Sequence, residues 1–384
     1  MNINIFGSTG TIGKNSLNII SSYFPNIKIN LIVANKNYKE FLFQVKKYKP
    51  KYIHLNNNKA LLRIKNEIPK KTKILYKQDL KEYLYSSQSD YTILSVSGYK
   101  SLNYLENIVI NTNNLGLVSK EAIVSAGHLF KKKNIFKKTN IIPLDSEHYS
   151  LFSFFNNSKK INNIKKIIIT ASGGPFLNKK YSTLKNISFN EAIKHPKWKM
   201  GYKNSIDSAT LVNKCLEIVE AKYLFDLSYD NLDILIHPEA LVHSIIENNN
   251  FITNLIMFKN DMGVPILNFL KNNLNVKNIN IPKYELKYFN SLNFRNVQND
   301  IFPIYRYFLN IDKNKPSNII KFNVGNEFAV NLFKKNLIKY TDIYRIIKKT
   351  VSLNLHSSLN NIEEIINYHE EIENTISSNF KLNI

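Results

Sequence analysis

The chain opens on M-N-I-N-I-F-G-S-T-G-T-I-G-K-N-S-L-N-I-I, with Gly7, Gly10 and Gly13 set between a short apolar run and an amphipathic one. This junction constrains the fold more than any other segment. An apolar run that ends in glycine and continues at helical spacing is how a buried parallel strand feeding a crossover helix reads in sequence. Glycine permits the tight turn and lets backbone N–H groups at a helix N-terminus approach a pyrophosphate. The spacing is G-x-x-G-x-x-G rather than G-x-G-x-x-G, and the same glycines would also suit an ordinary Gly-rich turn.

The residues that follow repeat the alternation. Strands are expected at Met1–Phe6, Ile27–Ala34, Tyr52–Leu55, Lys73–Tyr76, Tyr91–Val96, Leu115–Ser119 and Ile141–Leu144, and helices at Ser16–Tyr23, Tyr38–Tyr48 and Asn58–Glu67. That order predicts an α/β fold with a doubly wound, Rossmann-like sheet over residues 1–145. Residues 146–275 hold most of the chemistry-bearing motifs, with strands at Ile164–Thr170, Leu232–Ile236 and Phe251–Phe258 and one helix over Ser208–Leu224, and read as a central α/β domain. Residues 276–300 are Asn-rich and read as a linker. From residue 301 the apolar spacing is helical, which predicts a C-terminal helical domain.

The second expected strand discriminates between nicotinamide cofactors. An acid at its end would bind a ribose 2′-hydroxyl. Here Ala34-Asn35-Lys36-Asn37 offers a cation and no acid, which favours a 2′-phosphate and hence NADPH.

Composition narrows the remaining classes. The formal charge of +24 is mostly lysine, spread along all 384 residues rather than gathered in one stripe, so it does not read as a specific nucleic-acid surface. The single cysteine, Cys215, cannot form an internal disulfide and reads as a small buried residue. The N-terminus runs straight into a strand with no leader-like segment, and no stretch has the apolar length of a membrane span, so a cytoplasmic protein is expected.

Against this basic background, three acids stand in suggestive company. Asp145 and Glu147 flank Ser146 in L-D-S-E-H at the end of an expected strand, where alternation would point both carboxylates the same way. Glu217 follows Asn213 and Lys214 at helical spacing, so the three share a face. Two acids from a strand end and one from a helix suit a hard divalent cation such as Mg²⁺ or Mn²⁺. T-A-S-G-G-P places Ser172 in a turn that can offer backbone N–H groups to an anion, or can be a plain turn. H-P-K-W-K-M-G, from His195 to Gly201, carries Trp198, the one tryptophan, among lysines; it reads as a mobile lid or as a surface loop packed on a neighbour. His237 and His243 are too far apart for helical metal ligation and read as structural.

These motifs, V-S-K-E-A-I-V, L-D-S-E-H, A-S-G-G-P-F, H-P-K-W-K-M-G, S-I-D-S-A-T-L-V-N-K-C-L-E-I-V-E-A and I-H-P-E-A-L-V-H-S, strongly resemble those of the 1-deoxy-D-xylulose 5-phosphate reductoisomerases, in the same order from Asn4 to beyond Val330. The resemblance implies an NADPH-dependent enzyme of the non-mevalonate isoprenoid pathway acting on a small phosphorylated sugar, and a homodimer. It implies that Thr9, Gly10, Thr11 and Ile12 meet the NADPH pyrophosphate, that Asn35, Lys36 and Asn37 lie near the 2′-phosphate, and that Ser119, Glu121 and Gly201 also meet the cofactor. Asp145, Glu147 and Glu217 would bind Mg²⁺ or Mn²⁺, with Co²⁺ as a further alternative. Lys120, Ser146 and Glu147 would meet the reacting end of the substrate. Ser172, His195, Ser208, Asn213 and Lys214 would bind substrate, chiefly around its phosphate, and Trp198 would belong to a lid.

Three positions depart from the family pattern. Ser119 stands where the family usually has Asn, Tyr202 where it has Arg, and D-M-G-V-P-I at Asp261–Ile266 where many members read D-M-R-T-P-I. The family reaction is a rearrangement, by retro-aldol cleavage and re-addition or by a ketol shift, followed by hydride transfer. A metal-independent NADP oxidoreductase would share the glycine motif but would not need the acids. A basic nucleic-acid-binding protein would leave them unexplained.

Overall fold

The computed structural model describes the chain except for residues 133–138, 158–163, 198–200, 272–290 and 380–384. Trp198 and residues 276–290 of the expected linker lie outside the described residues, and the remainder of that linker, 291–300, carries the short strand Arg295–Asn296. The chain divides into two compact units.

The first unit comprises Met1–Ser119, Phe130–Tyr149 and Asp261–Pro282. Its strands are β1 (Asn2–Phe6), β2 (Lys28–Ala34), β3 (Tyr52–Leu55), β4 (Lys73–Ile74), β5 (Ser89–Leu94), β6 (Thr112–Leu117) and β7 (Asn140–Pro143). They lie in the order β4-β3-β2-β1-β5-β6-β7, and every pairing is parallel. The chain winds one way from β1 to β4 and the other way from β5 to β7, so the winding reverses between β1 and β5. A doubly wound sheet opens a ligand crevice at that reversal. β1 is buried nearly throughout: Ile3, Ile5 and Phe6 are fully buried, and the buried Asn4 accepts the Tyr83 hydroxyl at 3.2 Å. The helix Thr11–Tyr23 buries Gly13, Ser16, Leu17 and Ile20, one stripe of a 3.6-residue period. The helix Gly263–Lys271, which the sequence reading groups with the central domain, packs here. Its Phe269 ring meets Tyr91 edge-on at 5.7 Å and lies over Gly116, where an added Cβ would come within 3.1 Å of it.

The second unit comprises Lys120–Leu129, Ser150–Asn260 and Lys283–Ile384. Its sheet is β8 (Ile164–Ala171), β9 (Leu232–Ile236), β10 (Val242–Asn248), β11 (Thr253–Met257) and β12 (Arg295–Asn296), in the order β11-β10-β8-β9-β12. β8 and β9 are parallel and the other pairings antiparallel. The interior strand β10 was not anticipated, because its V-H-S-I-I-E-N mixes polar residues into a largely buried run. His243 and Ser244 are both buried there.

The helix expected over Ser208–Leu224 is two helices, Tyr202–Ala209 and Val212–Leu224. The break is at Leu211, whose φ of 63° is left-handed and ends the first helix. The long helix Pro316–Lys334 is buried over most of its length. Against it lies Asp342–Val351, whose Ile343, Ile346, Ile347 and Thr350 form one apolar stripe. Gly325 makes the approach possible, since a Cβ there would sit 2.8 Å from the Thr350 side chain.

Candidate active site

In the first unit, the glycine junction folds as its sequence requires. Gly7 has φ +84°, and a Cβ on it would stand 2.5 Å from the Ser95 carbonyl oxygen at the end of β5. Gly13, inside the helix, would drive a Cβ to 2.5 Å from the Ser8 Cα. The loop therefore lies flat on the β1–β5 crevice. Thr9, Gly10, Thr11 and Ile12 form the entry to the helix Thr11–Tyr23, which has no side-chain cap and no acid in its first turn. Helix-end N–H groups left without a cap, together with the positive end of the helix dipole, suit a pyrophosphate.

At the end of β2, Asn35, Lys36 and Asn37 are all exposed. Asn37 caps the next helix by accepting the Glu40 N–H at 3.4 Å. Lys36 thus stands at the surface where the sequence expects a 2′-phosphate to be met. Ser119 is buried, and its hydroxyl donates to the Val96 carbonyl at 2.6 Å and the Leu94 carbonyl at 3.2 Å. The short side chain at this position is committed to the end of β5.

Asp145, Ser146 and Glu147 also lie in the first unit, and here one local expectation is corrected. They are not the tail of an extended strand. β7 ends at Pro143, and the helix Ser146–Asn157 begins at once. Asp145 caps that helix: its Oδ1 accepts the Glu147 N–H at 3.3 Å, and its carbonyl takes the first helical bond from Tyr149. Two carboxylates thus come together through a cap and a first helical turn, not through strand alternation. The buried His148 ring places Nδ1 3.3 Å from Asp145 Oδ1, and the Ser146 hydroxyl donates to Glu147 Oε2 at 2.5 Å. Both carboxylates are half-buried. The donors are all oxygen, which fits a hard divalent ion.

In the second unit, Lys120 is buried at the start of the helix Lys120–Lys132. Its ammonium donates to Asn213 Oδ1 at 2.7 Å and to Glu217 Oε1 at 3.1 Å. The Lys214 ammonium donates to Glu217 Oε2 at 2.7 Å, and the Asn213 amide donates to Glu217 Oε1. Glu217 has no exposed surface. The i, i+3 and i, i+4 spacing on Val212–Leu224 brings these three together as the sequence anticipates. Next to them Cys215 is wholly buried; burial pushes its thiol well above the ordinary range, and its Sγ faces the Leu211 carbonyl at 3.4 Å.

A second group in the same unit gathers hydroxyls on one imidazole. His195 Nε2 lies 3.0 Å from Ser172 Oγ and 3.1 Å from Ser208 Oγ. The Lys197 backbone N–H donates to Nδ1 at 3.2 Å, which makes Nε2 the protonated nitrogen of the neutral ring. The A-S-G-G-P turn reaches this position because Gly174, at φ +66°, has no side chain: a Cβ would lie 2.9 Å from the Ala209 Cα and 3.0 Å from the Ser208 carbonyl. Gly201 is exposed, and a Cβ on it would meet nothing within 4 Å among the described residues.

Glu121 is buried and held by Lys203 at 3.0 Å. Burial opposes its charge, but the Lys203 ammonium prevails and holds the carboxyl below its usual range. Lys203 is a residue that sequence reasoning missed. Its signal was the i, i+4 pairing with Asp207, hidden among many lysines. His237, read as structural, stacks on Phe294 at 4.6 Å, and His243, read likewise, faces Phe258 at 4.0 Å.

A parallel sheet with a glycine-lined crevice, an α/β unit bearing buried lysine–carboxylate chemistry and a hydroxyl–imidazole cluster define an NADP-dependent enzyme. Family models described as 1-deoxy-D-xylulose 5-phosphate reductoisomerase match residues 3–127, and as that enzyme's C-terminal domain residues 141–225 and 257–375. The chain is 37% identical to the 1-deoxy-D-xylulose 5-phosphate reductoisomerase of Pelagibacter ubique over 98% of both chains. It is 35% identical to the apicoplastic enzyme of Plasmodium falciparum, covering 95% of this chain and 79% of that one. It superposes with a TM-score of 0.90 on a crystal structure of DOX-P reductoisomerase in complex with NADPH, fosmidomycin and magnesium, at 27% identity over 99% of this chain and 98% of that one. The chain belongs to the 1-deoxy-D-xylulose 5-phosphate reductoisomerase family.

Proposed function

We propose that this chain catalyses the NADPH- and divalent-metal-dependent rearrangement and reduction of 1-deoxy-D-xylulose 5-phosphate to 2-C-methyl-D-erythritol 4-phosphate, in the non-mevalonate route to isoprenoids. The observation that carries this reading is the buried cluster of Lys120, Asn213, Lys214 and Glu217, in a chain that matches the family from end to end. Related structures carry NADPH, magnesium and fosmidomycin.

Asp145, Glu147 and Glu217 would hold the cation, with Mg²⁺ or Mn²⁺ suited to their oxygen donors. Thr9, Gly10, Thr11 and Ile12 would hold the NADPH pyrophosphate and Asn35, Lys36 and Asn37 its 2′-phosphate, with Ser119, Glu121 and Gly201 nearby. When bound, the metal supplies Lewis-acid polarisation and NADPH the hydride.

The chain's own residues do the rest. Ser172, Ser208 and His195 Nε2–H offer hydrogen bonds to the substrate phosphate, joined by Asn213 and the Lys214 ammonium. The Lys120 ammonium stabilises negative charge developing on a substrate oxygen during the isomerisation. Ser146 and Glu147 orient the reacting end. The phosphate does no chemistry; its binding energy aligns the carbons that react. Trp198 would cover the bound substrate. The functional division is a cofactor part over 1–145, a catalytic part over 146–275, a linker over 276–300 and a helical part from 301. The active form is a homodimer in the cytoplasm, and among the described residues no helix is long and apolar enough to cross a membrane.

The test is NADPH oxidation with deoxyxylulose phosphate, with and without Mg²⁺, and inhibition by a phosphonate hydroxamate. Absence of metal-dependent turnover overturns the reading.

A further inference from the structure

Behind the substrate-binding residues of the second unit lies a buried charge network centred on one ammonium. Lys203 Nζ is 2.8 Å from Asp207 Oδ2 and 3.0 Å from Glu121 Oε1. The other oxygen of Asp207 accepts the side-chain amide of Asn326 at 2.8 Å, and Asn326 has no exposed surface. Glu327, one residue further along the helix Pro316–Lys334, accepts the Asn323 amide at 3.2 Å. Burial pushes the Glu327 carboxyl up to about 7 against the pull of Lys203. Three helices, Lys120–Lys132, Tyr202–Ala209 and Pro316–Lys334, therefore meet at Lys203.

The chain neighbours of this network are the residues that face substrate. Glu121 follows Lys120, whose ammonium meets Asn213 and Glu217. Asp207 precedes Ser208, whose hydroxyl meets His195. One cation thus ties the helix that carries the charge-stabilising lysine to the helix that carries a phosphate-binding serine.

We propose that Lys203 is a positioning residue, which fixes Lys120 and Ser208 at the separation the phosphorylated substrate requires by clamping Glu121 and Asp207 to one ammonium. The proposal rests on the reductoisomerase reading. It adds a residue that touches neither substrate nor metal. Removing the ammonium leaves two buried carboxylates facing one space, and their repulsion moves the start of Lys120–Lys132 and the last turn of Tyr202–Ala209 apart. A misplacement on the scale of an ångström is enough to lower turnover severely.

The experiment compares the full-length native protein with Lys203→Met, Lys203→Arg and Asn326→Ser, with active sites counted by a tight-binding phosphonate hydroxamate. Per active site, Lys203→Met is expected to lower kcat about tenfold and to raise KM for deoxyxylulose phosphate about tenfold. Lys203→Arg, whose guanidinium can still bridge both carboxylates, should recover most of both losses. A purely structural role would lower the count of active sites and leave KM and kcat per site unchanged, and that result overturns the proposal. Should Lys203→Met fail to fold, Asn326→Ser decides: a smaller rise in the same KM supports the clamp and an unchanged KM overturns it. Failure of the native protein to turn over the substrate would sink the functional reading itself, which the variants do not test.

Discussion

Lys120 and Glu217 form an ion pair 3.1 Å long with almost no exposed surface on either side chain. The second carboxylate oxygen of Glu217 is held by Lys214 at 2.7 Å. Two ammoniums thus grip one carboxylate from both oxygens.

Glu217→Gln keeps the shape and removes the charge. We expect it to lower kcat at least about 100-fold, as does loss of a group that stabilises transition-state charge, and to weaken the dependence on Mn²⁺ concentration. Asp145→Asn should behave alike. Near-native turnover in both variants would remove these residues from the metal site.

Chelation should abolish turnover without unfolding the chain, because the described ion pairs and caps around Asp145 and Glu217 are made by protein groups alone. Activity in excess EDTA, followed by recovery on adding Mg²⁺ or Mn²⁺, gives the readout. Undiminished activity under EDTA would favour a metal-independent oxidoreductase.

Lys36 is exposed at the end of β2. Lys36→Glu should raise KM for NADPH about tenfold, the size of one lost charge-assisted hydrogen bond, and narrow the preference over NADH. An unchanged NADPH KM would place the 2′-phosphate elsewhere.

The fold should weaken in mild acid through His369. Burial lowers its imidazole to about 3, with Nε2 2.9 Å from the Ser125 hydroxyl. The unfolded chain takes up a proton near pH 6.5 that the folded chain refuses, so the histidine's contribution to stability is level above that pH and declines as pH falls from 6.5 toward 3. At pH 5 the loss is about 2 kcal/mol. Glu121, whose carboxyl is held low, adds its own loss only below the ordinary carboxylate range, and Glu327, pushed up to about 7, works in the opposite direction across the interval from pH 6.5 to 5, so the histidine is isolated by comparing variant and native slopes. Thermal midpoints across that interval should fall less in His369→Gln than in the native protein; equal slopes would contradict the assignment.

Gly174→Ala should cost about 1–3 kcal/mol, since the left-handed φ disfavours a side chain and the new Cβ would press on Ala209. The same push separates Ser172 from Ser208, so KM for the phosphorylated substrate should rise with it. A variant with native stability and KM would show that the turn relaxes freely.

The sequence carried the first sheet well, because its strands are apolar runs separated by amphipathic helices, and the Gly7–Gly13 junction admits little else. The Asn213, Lys214 and Glu217 grouping was legible for a similar reason: helical spacing alone puts the three on one face. Asp145 and Glu147 were legible as a pair but not in their local form, since a cap and a first helical turn can follow a strand within two residues. The break at Leu211 left no mark, because leucine is an ordinary helix former and its backbone angle is imposed by packing. β10 was hidden by His243 and Ser244, polar residues whose partners in the fold satisfy them. Lys203 was not singled out because its i, i+4 pairing with Asp207 looks like any other pair in a lysine-rich chain, and its second partner, Glu121, comes from a distant helix.

Cys215 has a practical consequence. A sulfhydryl sealed inside a helix and held in its protonated form gives maleimides, peroxide and air little to attack. The protein can be handled without reductant, and a cysteine engineered at any chosen surface position would then be the one site to take a fluorophore or spin label.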